Sequence, residues 1–265
     1  MPTGNAEDPR TYPLRAPGWD EIPDLVHGFL GRAQGLAPGD FGRGDLETAL
    51  RAGGERPVQI LAARQVHGST VLAPEDLDAI CANDDARMPG ALPDGDAIVT
   101  ASADVIATIR TADCVPVLLV APRARAAAAI HAGWRGLVAG VVRTAIEALG
   151  ARYGAAPSEI RAAIGPAIGG CCYEFGAEHH TTFVEAFGQA SEQAWSTTPE
   201  GAAQARPHLD VGFLAHVALT QAGVPEAAIQ IVSPCTAEHP DELHSYRRDG
   251  AAAGRQLSYI GWRPS

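Results

Sequence analysis

The stretch TADCVPVLLVAPRARAAAAIHAGWRGLVAG, residues 111–140, decides how this chain folds. Two runs of mostly apolar residues, 115–121 and 126–130, predict two buried strands. The segment Pro122-Arg123-Ala124-Arg125 separates them and places a proline at the first corner of a turn. We therefore predict an antiparallel hairpin at the centre of the fold.

Chemically reactive side chains lie at the open end of this hairpin. If the hairpin folds about the midpoint between Pro122 and Arg123, Cys114 lies nearly opposite His131. Directly opposed residues are about 4.5–5.5 Å apart, close enough to share a metal ion or a proton. Gly133-Trp134-Arg135-Gly136 then leads into a helix. A thiol, an imidazole, a guanidinium and a helix N-terminus are thus predicted to converge.

Length and composition limit the class of protein. The chain has 265 residues and an ordinary apolar fraction, enough for one large domain or two small ones. Residues 1–20 lack the apolar segment of a signal peptide, and no run approaches the roughly 20 apolar residues of a membrane span. Five cysteines without a disulfide-scaffold spacing favour a reduced compartment, so we expect a cytoplasmic protein that does not enter membranes.

The charge of the chain bears on its partners. A formal net charge of −11 argues against a nucleic-acid backbone as the main ligand, because phosphate contacts need clustered Lys and Arg. An anionic small substrate is compatible with this charge if a few arginines face one cleft.

The remainder of the chain predicts more short strands than helices. The clearest helix covers residues 137–153 and ends at Gly154, and Asp210 is predicted to cap another at 211–222. The other predicted strands are 26–32, 59–66 continued by 70–72, 94–100, 105–110, 160–164, 229–232 and 258–262, with a loop at 191–207. We predict an α+β fold with mixed sheets and flanking helices, in which an N-terminal arm (1–22) precedes a single layered domain (23–265).

A third residue joins the predicted Cys–His pair. His67 ends a strand in the sequence RQVHG. One Cys and two His from three strand ends are the ligands of a catalytic zinc site with its fourth position open. The alternative is that Cys114 is a small core residue and His131 a hydrogen-bonded strand-end histidine. Glycine and arginine beside both histidines favour the metal site.

Other catalytic readings of these residues stay open. A Cys next to a His can form a thiolate–imidazolium nucleophile, which needs an Asn or Asp as orienting partner. The third residue, His67, favours the metal instead. A multicopper oxidase is set aside, because such enzymes need many paired ligands and this chain has nine His and no His-x-His.

Several further residues are candidates for supporting roles. Five arginines are candidate anion binders: Arg64, Arg110, Arg135, Arg247 and Arg248. Arg64 and Arg135 are favoured because they stand within a few residues of the two histidines. The start of the predicted helix at 137 offers N–H groups for a phosphate. Asp94 and Asp96 suit either acid–base chemistry or a turn. Cys171-Cys172 fits neither a mutual disulfide nor zinc spacing, so we assign it a packing role.

Seven stretches carry a resemblance to a known family: HGFLGR, RQVHG, DGDAIVT, TADCVPVLL, AAIHAGWRGLVAGVV, AAIGPAIGGCCYEFG, and the tail from CTAEH through SYRRDGAAAGRQLSYI. They follow one another from His27 to Ile260. The sequence resembles the laccase-domain (YfiH-type) proteins, once described as polyphenol oxidases and now as purine nucleoside phosphorylases. It departs from them in residues 34–56, which are short and lack the expected Asn-Arg pair.

The resemblance implies a zinc ion, with copper as the other candidate, held by His67, Cys114 and His131. It implies phosphorolysis of adenosine, inosine and methylthioadenosine, with some adenosine deamination. The implied fold is a single layered domain distantly like a cysteine-hydrolase toxin. We expect Cys114, His131, His67 and Arg64 to be catalytic, purine nucleosides and phosphate to be the ligands, and the protein to be a monomer or homodimer.

Three hypotheses follow. The first is a purine nucleoside phosphorylase, in which arginines and helix-end amides hold the phosphate that attacks the ribose C1′. The second is a metal-free hydrolase or deamidase acting through a thioester on a Cys114–His131 dyad. The third is a binding protein whose metal is structural.

Overall fold

The computed structural model describes residues 12–39, 43–55, 59–74, 76, 92–103, 105–197, 206–232 and 234–263. The strands are β1 Leu25–Phe29, β2 Gln59–Leu61, β3 Val71–Leu72, β4 Ala97–Thr100, β5 Val105–Thr111, β6 Val115–Ala121, β7 Ala126–Ala132, β8 Arg161–Ile164, β9 Trp195–Thr197, β10 Pro207–Leu209, β11 Ile229–Ile231 and β12 Gln256–Trp262. The α-helices are α1 Arg43–Ala52, α2 Trp134–Val138, α3 Val141–Tyr153, α4 His180–Phe187, α5 Val211–Gln221 and α6 Tyr246–Asp249. Among these residues, every helix is too short or too polar to cross a bilayer.

Two mixed sheets form the body of the fold. The larger has the strand order β11-β8-β6-β7-β4-β3, and the smaller has the order β1-β12-β5-β2. In the larger sheet β3 is parallel to β4 and β11 to β8, whereas the central strands are antiparallel. The predicted α+β fold with mixed sheets and flanking helices is confirmed.

The central hairpin is apolar on both faces because it lies between two layers. Leu118 and Ala129 on one face share a core with Ile109 of the smaller sheet. Leu119 and Ile130, on the other face, share a core with the helical layer that includes α3 and α5. Strands covered on both sides show unbroken apolar runs instead of alternation, as residues 115–121 do.

The hairpin forms, but the predicted register is wrong. Pro116, and not Cys114, lies opposite His131, which places the midpoint between Arg123 and Ala124. Arg125 has a φ of 46° and completes the turn in the left-handed region. Because Cys114 is two residues before Pro116, it lies diagonally across from His131, a spacing at which side chains still meet. The predicted convergence of the two residues therefore survives the change of register.

The single helix predicted over 137–153 is wrong. The chain forms α2 and then α3, and Gly140 between them has a φ of 82°. A residue in this left-handed conformation ends a helix, and glycine adopts it without steric cost. The predicted end at Gly154 is confirmed, with a φ of 72° at that glycine. The predicted cap at Asp210 is also confirmed, since its side chain accepts a hydrogen bond from the Phe213 N–H.

The predicted strand over 59–66 is too long. β2 ends at Leu61, and the chain then leaves the smaller sheet and enters the larger one at β3. His67 lies on this crossing, with a φ of 60°. The predicted loop at 191–207 contains β9 and the start of β10, and its residues 198–205 lie outside the described part.

Part of the predicted N-terminal arm packs on the domain. Trp19 is 1% exposed and shares a core with Trp262, and Leu14 pairs with Phe29 of β1. Residues 1–11 lie outside the described part. A domain boundary after residue 22 stays a prediction.

Candidate functional site

The three predicted metal ligands come together at one end of the central hairpin. His131 is on β7, Cys114 is on the connection from β5 to β6, and His67 is on the crossing between the sheets. Their ligand atoms all lie within 4.8 Å of one another, and Cys114 Sγ is 3.7 Å from His67 Nε2. His131 is buried, Cys114 is half-buried and His67 is exposed. The group therefore has a buried base and an open side.

Asp96 organises two of these residues with one buried carboxylate. Its oxygens accept the backbone N–H groups of residues 66–68, which fixes the strained turn that carries His67. Its Oδ1 also lies 2.8 Å from His131 Nδ1. The sequence suggested acid–base chemistry or a turn for Asp96, whereas the structure makes it the orienting partner of His131. The pairing of β4 with β7 places Asp96 beside His131.

The electrostatics of the metal-free group favour an ion pair. Burial opposes ionisation of the Cys114 thiol, but hydrogen bonds and charge from His131 and His67 lower its pKa to about 6. Burial also opposes protonation of His131, but its bonds to Asp96 and Cys114 raise its pKa to about 9. Between these values Cys114 is a thiolate and His131 an imidazolium.

The donor set fits zinc. In a tetrahedral site a sulfur and a nitrogen ligand are about 3.6 Å apart, given the usual zinc–ligand bond lengths, and the Cys114–His67 distance is 3.7 Å. Because Asp96 occupies His131 Nδ1, the other ring nitrogen is left for a metal, the usual carboxylate–histidine–metal arrangement. Gly133 is required here, since a Cβ would lie 2.8 Å from the His67 ring.

A cavity of about 510 Å³ opens beside the group. Its lining includes two tyrosines and three arginines, and the lining residues are Gln65, His67, Arg110, Ala112, Asp113, Cys114, His131, Tyr173, Tyr246, Arg247 and Arg255. The Arg247 guanidinium lies 4.6 Å over the Tyr173 ring. Burial and the charge of Arg255 lower the pKa of Arg110 to about 10. Two guanidiniums that repel each other at a cavity wall would be stabilised by a bound anion.

The cavity contains only some of the predicted anion binders. Arg110 and Arg247 line it, as predicted candidates, whereas Arg64 pairs with Asp94 and is not among the lining residues. Arg135 is exposed and lies 4.4 Å from the Trp134 ring. Arg248 is held by Asp249 and by the carbonyl groups of neighbouring loops. The helix after Gly133 is only five residues long, so it offers a phosphate little.

The sequence reasoning missed five polar lining residues: Gln65, Asp113, Tyr173, Tyr246 and Arg255. All five stand inside stretches that carry the family resemblance, and that was the available signal. Asp113 accepts hydrogen bonds from the Thr236 hydroxyl and the Arg247 backbone N–H at 2.6 Å each. This carboxylate therefore ties a distant loop to the cavity wall.

Residues 43–263 match the family described as multi-copper polyphenol oxidoreductase laccase. The chain belongs to this family. A purine nucleoside phosphorylase of Streptomyces coelicolor is 38% identical over 232 residues, 87% of this chain and 86% of that protein. The adenosine deaminase RL5 from an unknown prokaryotic organism is 33% identical over 201 residues, 76% of this chain and 74% of that protein.

A solved structure has the same overall architecture as this chain. The crystal structure of YlmD from Geobacillus stearothermophilus matches with a TM-score of 0.78 at 28% identity, covering 94% of each chain. The resemblance stated from the sequence is thereby confirmed.

Proposed function

We propose that this chain is a zinc-dependent purine nucleoside phosphorylase that cleaves adenosine, inosine and methylthioadenosine with phosphate and also deaminates adenosine. The observation that carries the proposal is the cavity itself, where arginines, tyrosines and a three-residue metal group face one another. Its volume of about 510 Å³ lies in the range of small-ligand pockets. One relative named purine nucleoside phosphorylase and another named adenosine deaminase support the substrate class.

The arginines suit the phosphate. Arg110, Arg247 and Arg255 bring three permanent positive charges to the wall of one cavity. Guanidinium groups bind phosphate oxygens in pairs, and this neutralises the charge of an incoming anion. Phosphate held in this way is positioned to attack the ribose C1′ as the bond to the purine breaks.

The tyrosines suit the nucleoside. The rings of Tyr173 and Tyr246 offer flat surfaces against which a purine can stack. Burial and the charge of Cys114 raise the pKa of Tyr173 to about 12, so its hydroxyl keeps its proton at neutral pH. A protonated hydroxyl can donate a hydrogen bond to the purine as it leaves.

His67, Cys114 and His131 would hold the metal, and Asp96 would fix the His131 ring. When bound, zinc would supply Lewis acidity and lower the pKa of water at its open position, the chemistry that deamination at purine C6 requires. Purine chemistry of this kind uses the open side of the group, which faces the cavity.

The test is a product analysis with inosine in the presence and absence of inorganic phosphate. We expect hypoxanthine and ribose 1-phosphate in equal amounts, formed only with phosphate and lost in Cys114→Ala. Adenosine should give adenine with phosphate and inosine without it. Release of free base at the same rate without phosphate would contradict phosphorolysis.

One observation favours a second candidate, the metal-free cysteine hydrolase or deamidase. Its dyad needs an orienting carboxylate, and Asp96 holds His131 in that way. The lowered pKa of Cys114 also suits a nucleophile. Activity that survives chelation and is abolished by iodoacetamide at Cys114 would support this candidate over the phosphorylase.

A further inference from the structure

A second group of metal-type ligands lies outside the cavity. It consists of Cys171, Cys172, Cys235 and Glu238, whose ligand atoms all lie within 4.8 Å of one another. Sequence reasoning assigned Cys171 and Cys172 to packing, because their own spacing suits neither a disulfide nor zinc. The packing role is wrong for Cys171, because this side chain is exposed. The spacing of Cys171 and Cys172 could not indicate a metal site, because Cys235 and Glu238 stand more than 60 residues away in the sequence.

Backbone contacts hold the two segments together. Ala167 after β8 pairs with Cys235 after β11, and the Thr236 N–H donates to the Ala167 carbonyl at 3.0 Å. The Gly169 N–H donates to Cys235 Sγ at 3.3 Å. A Cβ on residue 169 would lie 3.2 Å from Cys171 Sγ, so the backbone passes close to this sulfur at Gly169. The sulfur atoms are thus gathered by the fold itself and not by chance exposure.

The donor set is that of a closed structural site. The Cys171 thiol donates to Glu238 Oε2 at 3.3 Å, near the roughly 3.5 Å that separates sulfur and oxygen ligands around tetrahedral zinc. Three sulfurs and one carboxylate oxygen would complete four-fold coordination of a metal ion without a water. Sulfur ligands select zinc and other thiophilic ions over magnesium or calcium.

We propose that Cys171, Cys172, Cys235 and Glu238 form a second metal site, separate from the His67–Cys114–His131 group, which binds a structural zinc ion. Binding replaces three thiol protons, which pass to solvent, by one dication, and no oxidant or reductant is involved. The site goes beyond the proposed enzymatic function and does not depend on it.

The consequence of this second site lies in the cavity wall. Tyr173 follows Cys172 directly, and Thr236 follows Cys235 and bonds to Asp113 at 2.6 Å. Tyr173 and Asp113 both line the cavity. A metal that joins the two segments therefore holds in place the wall that the proposed nucleoside would contact.

The experiment uses full-length protein in which the first site has been removed by His67→Ala and Cys114→Ala. Zinc is titrated into the reduced, metal-free chain, and bound metal and reactive thiols are counted. We expect one zinc per chain and protection of three of the four remaining thiols, reversed by a chelator alone. Cobalt in place of zinc should give thiolate-to-metal charge-transfer absorption.

Two ligand variants and one control variant on that background complete the test. Glu238→Gln should weaken zinc binding by at least about tenfold, whereas Asp241→Asn, an exposed carboxylate on the same loop, should leave it unchanged. Cys171→Ser removes an exposed side chain, so the variant should fold while losing tight binding.

Three outcomes would overturn the proposal. They are absence of bound zinc in the reduced chain, equal zinc affinity after Cys171→Ser, and thiols that a reductant but not a chelator makes reactive, which would indicate a disulfide. Circular dichroism of each variant separates loss of the site from loss of the fold.

Discussion

At the scale of single residues, Asp96 is the centre of the candidate site. Its buried carboxylate holds the turn of His67 and the ring of His131 at the same time. His67 lies on the crossing between the sheets and His131 on β7, and this one side chain fixes their relative placement. Metal affinity should therefore depend on a residue that need not touch the metal.

We predict that Asp96→Asn lowers zinc affinity at the first site by about 10–100-fold. The amide can accept from fewer N–H groups and no longer stabilises His131 through a carboxylate. Competition with a chelator, in protein lacking the second cysteine group, measures this. Asp94→Asn is the matched control, because Asp94 is half-exposed and bonds to Arg64; equal losses in both variants would contradict the prediction.

A second residue-scale prediction separates the arginines. Arg255→Gln removes a cavity guanidinium, and loss of a charged hydrogen bond of about 1.5–3 kcal/mol should raise the KM for phosphate roughly 10–100-fold. Arg64 does not line the cavity, so Arg64→Gln should raise the KM for phosphate less than Arg255→Gln does. Initial rates at varied phosphate decide the matter. A larger effect from Arg64→Gln would restore the preference drawn from the sequence.

At the scale of elements, turns decide where side chains arrive. The left-handed Gly140 divides one apolar helical pattern into α2 and α3. The short helix α2 lies beside the site, where Gly136 is close to the Gly68 carbonyl.

We predict that Gly140→Ala destabilises the protein by about 1–2 kcal/mol, because an L side chain pays a steric cost at positive φ. Gly44→Ala in α1 is the control, since its Cβ meets open space and replacing a helical glycine stabilises by roughly 0.5–1 kcal/mol. Urea unfolding gives both values. Equal signs for the two substitutions would refute the assignment of the break to Gly140.

Sequence patterns predicted most helices and strands but not the geometry of the turns that connect them. The apolar runs of β6 and β7 and the caps at Asp210 and Gly154 follow from local chemistry. The predicted register of the hairpin was wrong because the turn, with its positive φ at Arg125, is centred one residue later than predicted. The pattern of apolar residues carries no information about this shift. Cys114 and His131 still met because diagonal neighbours in a sheet are also close.

At the scale of the whole molecule, the layers determine where the cavity lies. Residues from the crossing between sheets, the hairpin, the turn after β8 and the segment before β12 all reach one edge. Tyr173, Tyr246 and Arg255 could not be assigned from sequence, because their closeness depends on how β8 and β12 pair. The three predicted metal ligands could be grouped from the sequence because the hairpin is local and a glycine follows each histidine within two residues.

The layered fold also predicts a pH dependence of stability. His27 in β1 is fully buried, and burial together with the charge of Arg15 lowers its pKa to about 4. The unfolded chain takes up this proton near pH 6.5 and the folded chain does not. The effect of His27 on stability is therefore nearly absent above pH 7, and this one residue destabilises the fold by about 2 kcal/mol as the pH falls from 7 to 5.

Urea unfolding at pH 7 and pH 5 tests this prediction in the Cys114→Ala background. In this background, release of metal from the first site does not contribute to the pH dependence of stability. His27→Gln keeps an acceptor for the Ala16 N–H and should flatten the decline by that amount. His208→Gln replaces a more exposed histidine as the control. The same pH slope in His27→Gln and wild type would show that His27 is not responsible.

The central claim is that His67, Cys114 and His131 hold the zinc that purine nucleoside cleavage requires. The most direct measurement adds zinc stepwise to the metal-free wild-type protein and, in parallel, to metal-free Cys114→Ala, and records phosphate-dependent release of hypoxanthine from inosine. We predict that wild-type activity rises and saturates with bound zinc, and that Cys114→Ala binds one zinc fewer per chain and stays inactive at every zinc concentration. Full activity in the metal-free protein, or zinc-independent activity in Cys114→Ala, would contradict it.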